Sequence, residues 1–239
     1  MDDLILPHKV TSYECSADHL LKPECFMHLC QEMAESHAER HGFGYDWGMQ
    51  SGMIWVEVQG QFEFLRRPAW KETVTLRTNT GRASALQARR FVEMNDAEGK
   101  LIARADLLWV LIDFKTRRPI ALKRANLDPA VVNDCPPVTE PMELPEWPEP
   151  AAEAALTAPR RDIDFNGHIN NSAYLIWALD TLPDALKPEG APHRFRLSFK
   201  RETFGGESLR VRHSVAGNMT RHLVTDGETT RAEIVICWG

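Results

Sequence analysis

The chain has 239 residues, 43% apolar and 26% charged, with a formal net charge of −6. That length suits one large domain or two small ones, and the composition is that of an ordinary globular chain. No apolar run approaches a membrane span, and the opening Met1–Lys9 is too acidic and too briefly apolar for a targeting peptide. The five cysteines form no Cys-x-x-Cys pair and read as reduced thiols of a cytoplasmic protein. The acidic balance, with no helix-turn-helix, zinc-finger or RNA-binding signature, argues against nucleic acid as a partner.

In chain order, Pro23 to His41 predicts a helix. Proline suits the first helical position and Gly42 the C-terminal exit. Phe26, Leu29, Cys30, Met33 and His37 recur with the period of one buried stripe. Strand-like runs follow at Met53–Leu65, Glu72–Thr80, Ser84–Met94 and Leu101–Phe114, with a hairpin loop at Asn95–Gly99. Residues 126–159 read as a linker, because seven acids, no Lys or Arg, and eight of the fifteen prolines fall between 125 and 159. Ala151–Leu156 inside it has the composition of a short helix. With so much acid in one segment, the rest of the chain is nearly neutral and can present a basic face. A second helix, apolar nearly all round, is expected over Ser172–Leu182. Strands follow at Arg194–Lys200, Ser208–Val215, Arg221–Thr225 and Thr230–Trp238, with a tight turn at Asp226-Gly227.

Both halves, 1–125 and 160–239, thus read as a helix followed by four strands. At a constant offset of 135 residues, Phe62–Arg67 aligns with Leu197–Glu202 and Lys71–Leu76 with Gly206–Val211. The expected fold class is α+β, duplicated, with a curved antiparallel sheet wrapped around one apolar helix in each half. The halves are unequal in chemistry. Glu202 falls opposite Arg67, and the run Asp162-Ile163-Asp164-Phe165-Asn166-Gly167-His168-Ile169-Asn170-Asn171 has no recognised counterpart before the first helix. In an extended backbone Asp164, Asn166 and His168 would share one side. Asn170 or Asn171 would cap the helix that follows. A carboxylate, an amide and an imidazole would then lie beside a helix N-terminus, with its free N–H groups and partial positive charge. Such a site can stabilise an oxyanion in acyl transfer, although the same residue types also build ordinary Asx-turns. The second half therefore reads as catalytic and the first as a binding wall.

The chain resembles the acyl-acyl-carrier-protein thioesterases of plants and bacteria, a family of two tandem hot-dog domains. In the first half the resemblance rests on Gln31–Ala38, Gly42–Gly44 and Ile112–Pro119. In the second it rests on Asp164–Tyr174 and Phe199–Glu202. It implies a first hot-dog domain over 1–125 that binds the acyl chain and a catalytic one over 160–239. It also implies hydrolysis of fatty acyl thioesters on acyl carrier protein, a catalytic set of Asp164, Asn166, His168 and Glu202, and no cofactor or metal. Plant members carry a cysteine directly after the glutamate; here Thr203 stands there, so no cysteine nucleophile is available at that position.

In that scheme Asp164 is the general base or a nucleophile, Asn166 orients the thioester or water, His168 protonates the leaving thiolate, and Glu202 orients His168 or shares the base role. Asp162 is expected to be a surface or capping acid. His37 and His41 are four apart on a helix but lack a third ligand, and read as a packed or exposed pair rather than a metal site. Met49, Met53, Trp55 and Trp109 are candidates for the acyl-tunnel wall. Arg66, Arg67, Arg117, Arg118, Arg160, Arg161, Lys200 and Arg201 are candidate docking charges for an acidic carrier. Alternative readings are an acyl-coenzyme A thioesterase, a hydratase or dehydratase on the same fold, and a noncatalytic acyl-binding protein. The oligomeric state is open between a monomer and a homodimer.

Overall fold

The computed structural model describes residues 2–125 and 134–239. The chain divides into two compact units, Met1–Glu140 and Pro141–Gly239. The division falls inside the segment read as a linker, of which residues 126–133 lie outside the described residues.

The first unit contains β1 (Leu4–Lys9), α1 (Pro23–Arg40), α2 (Tyr45–Ser51), β2 (Met53–Phe64), β3 (Thr73–Arg82), β4 (Gln87–Asn95) and β5 (Leu101–Asp113). Its strands form an antiparallel sheet in the order β1-β3-β4-β5-β2. The alternation is plain in β4, where Ala88, Arg90, Val92 and Met94 are buried and their neighbours are not, as the two-residue repeat of a strand requires. α1 packs on β3 and β4. Pro23 opens it at the first turn, and Gly42, at φ +73°, follows its end. Phe26, Cys30, Met33 and His37 form the buried stripe, while Leu29 is only half-buried and Met27 is buried in full.

The second unit contains β6 (Ala152–Thr157), α3 (Asn171–Thr181), β7 (Pro192–Phe199), β8 (Ser208–Ala216), β9 (Met219–Thr225) and β10 (Thr230–Trp238). Its antiparallel order, β6-β8-β9-β10-β7, repeats that of the first unit strand for strand. α3 packs on β8 and β10 with Leu175 and Ala178 fully buried. Each unit is a hot-dog domain, so the tandem architecture stands.

Three elements depart from the sequence expectation. Ala152–Thr157 is an edge strand, not a short helix: pairing with β8 overrides the helical preference of its alanines. β1 contains Pro7, which an edge strand tolerates because one side of its backbone needs no partner. α2 is a seven-residue helix interrupted by Gly48 and stopped by Gly52 at φ +70°, too short to show a period. The hairpins fall where Asn95–Gly99 and Asp226-Gly227 indicated, with Gly99 at φ +80° and Gly227 at φ +100°. The described part of the linker is anchored. The Asp106 carboxylate accepts the backbone N–H groups of Val138 and Thr139, at 3.0 and 2.6 Å from Oδ2. Among the described residues no helix is long and apolar enough to cross a membrane.

Candidate functional site

In the second unit β6 leads through a short 3-10 turn, Arg160–Asp162, into the Asp164–His168 segment and then α3. This segment is not extended, as the alternation suggested, but a closed turn. The Asp164 N–H donates to the His168 carbonyl at 2.8 Å and the Gly167 N–H to the Asp164 carbonyl at 3.0 Å, while Ile163 and Ile169 pair across its base. Gly167 supplies the positive φ, +82°, that such a turn needs. Asp164 drives the folding: its Oδ1 accepts the N–H groups of Asn166 at 2.9 Å and His168 at 3.3 Å, an Asx-turn. Among the described residues its Oδ2 takes no hydrogen bond. Asn166 is exposed at the tip and His168 is half-buried.

The turn is tied on both sides. The Ile169 N–H donates to the Thr203 carbonyl at 2.9 Å and the Asn170 N–H to the Asp162 carbonyl at 2.8 Å. Asn170 is the N-cap of α3, its Oδ1 accepting from the Ser172 N–H at 2.9 Å and hydroxyl at 2.8 Å. Asp162 is more than a surface acid, since the Trp177 indole N–H donates to it at 2.9 Å. The first tie brings the segment after β7 beside the turn and sets His168 Nε2 3.7 Å from Glu202 Oε2. That is longer than a formed hydrogen bond but within ion-pair range. The His168 ring meets Phe204 edge-on at 5.1 Å. Arg231 fixes the backbone here, donating to the Glu202 carbonyl at 2.8 Å while pairing with Glu207 and Asp226, each at 3.0 Å. Thr203 is 1% exposed. The fold thus gathers Asp164, Asn166 and His168 on one turn, with Glu202 across from the imidazole.

The first unit contains the same backbone turn before α1, built from other residues, so the Asp-Asn-His run itself has no counterpart there. The Ser16 N–H donates to the Leu20 carbonyl at 3.0 Å and the His19 N–H to the Ser16 carbonyl at 2.9 Å, with Cys15 and Leu21 paired at the base. His19 takes the positive φ, +63°. Ser16, Asp18 and Leu20 occupy the places of Asp164, Asn166 and His168. Arg67, opposite Glu202, reaches into the turn. Its guanidinium donates to the carbonyls of Leu21 at 2.7 Å and Leu20 at 3.0 Å, to the Ser16 hydroxyl at 2.7 Å and to Asp18 at 2.7 Å. Arg67 is therefore an internal clamp rather than a docking charge. Arg66 is also engaged, with Glu72 at 2.7 Å and Asp96 at 3.2 Å. Arg117, Arg118, Arg160, Arg161, Lys200 and Arg201 are exposed.

Sequence comparison missed the first turn because the offset changes there. α1 has 18 residues against 11 in α3, and β2 has 12 against 8 in β7.

The first unit also has an open-sided cavity of about 70 Å³ between α1 and the sheet. Ala34 and Ala38 of α1, Ala88 of β4 and the indoles of Trp55 and Trp109 form its apolar wall, and Glu35 and Arg90 also border it. Of the residues expected to wall an acyl tunnel, Trp55 and Trp109 do line it. Met53 packs beside it against the Leu111 cluster, and Met49 is 59% exposed. The His37 and His41 rings lie 4.6 Å apart, tilted by 52°; His37 Nε2 contacts the Asp2 carbonyl at 3.0 Å, and burial draws its pKa down to about 4.

Residues 7–128 match the family model of the acyl-ACP thioesterase N-terminal domain, and residues 148–239 match that of the C-terminal domain. A chloroplastic palmitoyl-acyl carrier protein thioesterase of Cuphea hookeriana is 31% identical over 215 residues, 84% of this chain and 51% of that protein. A chloroplastic oleoyl-acyl carrier protein thioesterase of Arabidopsis thaliana is 30% identical over 81% of this chain and 58% of that protein. The chain thus spans little more than half the length of these relatives. Among solved structures, an acyl-ACP thioesterase from Bacteroides thetaiotaomicron superposes with a TM-score of 0.87 at 23% identity, covering 99% of this chain and 98% of that one. The 12:0-ACP thioesterase from Umbellularia californica gives 0.82 at 24% identity, covering 99% and 97%. With both of its units matched in order, the chain belongs to the acyl-ACP thioesterase family.

Proposed function

We propose that this protein hydrolyses fatty acyl thioesters carried on acyl carrier protein, releasing the free fatty acid and the carrier thiol in fatty acid biosynthesis. The observation that carries this reading is the unequal pair of turns. One holds Asp164, Asn166 and His168 with Glu202 across from the imidazole; its twin is filled by a guanidinium. The second unit is the catalytic one in this proposal, and the first binds the acyl chain.

A thioester carbonyl is electrophilic but water is a poor nucleophile at neutral pH, so a base is needed. Asp164 Oδ1 is committed to the turn, and Oδ2 accepts a proton from the attacking water. The oxygen of that water bonds to the carbonyl carbon and the carbonyl oxygen becomes an oxyanion. The side-chain amide of Asn166 and the partial positive charge at the N-terminus of α3 offset its charge. When the tetrahedral intermediate collapses, the C–S bond breaks and the thiolate takes a proton from His168. Glu202 Oε2 faces that imidazole, 3.7 Å from Nε2. The proton on Asp164 then returns to solvent and His168 is reprotonated, closing the cycle.

The test is release of free fatty acid from a panel of acyl chains presented both on acyl carrier protein and on coenzyme A. Faster hydrolysis from the protein carrier supports the proposal. Preference for coenzyme A replaces the carrier and keeps the site; acyl binding without hydrolysis of either defeats the proposal. The exposed Arg160, Arg161, Lys200 and Arg201 flank the two site segments in sequence and suit an acidic carrier. Carrier-dependent rates should then fall as salt rises.

A further inference from the structure

β4 buries Ala88, Arg90, Val92 and Met94 in one row, and Arg90 is the charged member of it. The side chain is 4% exposed. Its one hydrogen bond among the described residues is a 3.3 Å contact from Nη1 to the Thr78 hydroxyl, and no carboxylate there lies within ion-pair distance. A guanidinium carries five N–H donors, and burying one without an anion or a full set of acceptors is costly. Desolvation draws its pKa down only to about 10, so it remains charged at neutral pH.

Arg90 borders the cavity under α1, as does the buried indole N–H of Trp109, which has no acceptor among the described residues. The only acid on the wall, Glu35, is occupied in part by the Tyr45 N–H at 3.0 Å, and burial raises its pKa. The remaining wall is mostly small or aromatic. A cavity of about 70 Å³ exceeds several-fold the ~10–15 Å³ one water-sized group requires. An apolar cleft with a few unsatisfied donors is suited to an apolar ligand bearing an acceptor.

We infer that this cavity selects acyl chains that carry an acceptor oxygen remote from the thioester, and that Arg90 with the Trp109 indole binds that oxygen. A hydroxyl, a keto group or a carboxyl supplies the same acceptor chemistry. The inference rests on the acyl-thioester reading above and narrows its substrate class. A plain hydrocarbon chain leaves both donors facing methylenes, whereas an oxygen satisfies them. Sites built around such a hydrogen bond discriminate strongly against ligands that lack it.

The test uses N-acetylcysteamine thioesters of matched chain length, each with and without a terminal hydroxyl, keto or carboxyl group. They are titrated into the full chain carrying Asp164→Asn, so that turnover does not consume them. Binding is read by calorimetry and by the change in intrinsic tryptophan fluorescence. Oxygenated chains should bind at least about tenfold more tightly than plain ones, and adding Arg90→Met should erase the difference. A carboxyl advantage over the hydroxyl shows that charge contributes as well as the acceptor, and supports the assignment to Arg90. Ala88→Leu, which narrows the cavity and retains Arg90, should also weaken oxygenated chains, and serves if the Arg90 variant does not fold. Equal binding of plain and oxygenated chains, a preference that survives Arg90→Met, or one indifferent to Ala88→Leu overturns the inference. Because binding is read without hydrolysis, discrimination without turnover in the unmodified chain defeats the functional proposal alone. Turnover without discrimination defeats this inference alone.

Discussion

The two hot-dog units build the same turn before the same helix and fill it with opposite chemistry. In the second unit Asp164 organises the loop from within, using its own carboxylate to gather backbone N–H groups. In the first, Asp18 accepts the Leu20 N–H and the Ser16 hydroxyl, and Arg67 clamps the loop from outside, gathering carbonyls, a hydroxyl and a carboxylate. The backbone path therefore does not need Asp164, Asn166 or His168; it needs some group to satisfy the turn. A duplicated fold can then keep one loop for structure and leave the other free for chemistry.

The largest effects should separate rate from stability along this line. Glu202→Ala should lower kcat by about 10²-fold or more, as loss of an acid–base partner does, with little change in Tm. Its counterpart Arg67→Ala should do the reverse. It removes the mostly buried guanidinium that joins the Leu20 and Leu21 carbonyls, the Ser16 hydroxyl and Asp18, and should destabilise the protein by roughly 1–3 kcal/mol. Thermal unfolding beside steady-state rates reads both. If Glu202→Ala unfolds the protein as much as Arg67→Ala does, the two turns are both structural and the contrast fails.

A middle-sized effect concerns acid stability. At equivalent places in the two sheets, Thr78 faces Val92 in the first unit and His213 faces His222 in the second. The two imidazoles touch, Nδ1 to Nδ1, at 2.8 Å. Burial first, then the neighbouring His213, draws the pKa of His222 down to about 3. The unfolded chain titrates near 6.5, so both states are neutral above that pH. As the pH falls from about 6.5 toward 3, the unfolded state takes up the proton first and stability is lost, at most about 1.4 kcal/mol per pH unit. The pair His213→Thr with His222→Val, copied from the first unit, should flatten this slope in urea melts across that range. A slope unchanged by the exchange would locate the acid sensitivity elsewhere.

The smallest effect is at the corner of each turn. Gly167→Ala puts a side chain at φ +82° and should cost about 1 kcal/mol, although nothing crowds the added Cβ. His19, which tolerates φ +63° in the twin turn, marks how little that strain matters where Arg67 clamps the loop.

Much of this architecture is legible in the residues. The period of α1, the apolar α3 and eight strands read directly, because burial imposes an apolar pattern on each. β1 and β6 do not read, because edge strands are half-solvated and their identity comes from the neighbour they pair with. The Arg67–Glu202 correspondence is visible at a constant offset, but the twin turn is hidden by the greater lengths of α1 and β2. Asp164, Asn166 and His168 do come together, by a closed Asx-turn instead of an extended strand. Sequence pattern sees spacing and not which hydrogen bonds the carboxylate makes. Arg90 escapes notice altogether, since an arginine in an alternating strand reads as outward-facing until the sheet shows it turned inward.

The most direct measurement is hydrolysis of acyl-ACP by Asp164→Asn beside Asp18→Asn, the carboxylate of the twin turn, with both proteins shown folded by thermal unfolding. The account predicts that Asp164→Asn loses about 10²-fold or more in kcat while Asp18→Asn keeps the rate of the unmodified chain. Full turnover by Asp164→Asn, or an equal loss in both, would contradict the assignment of chemistry to the second turn.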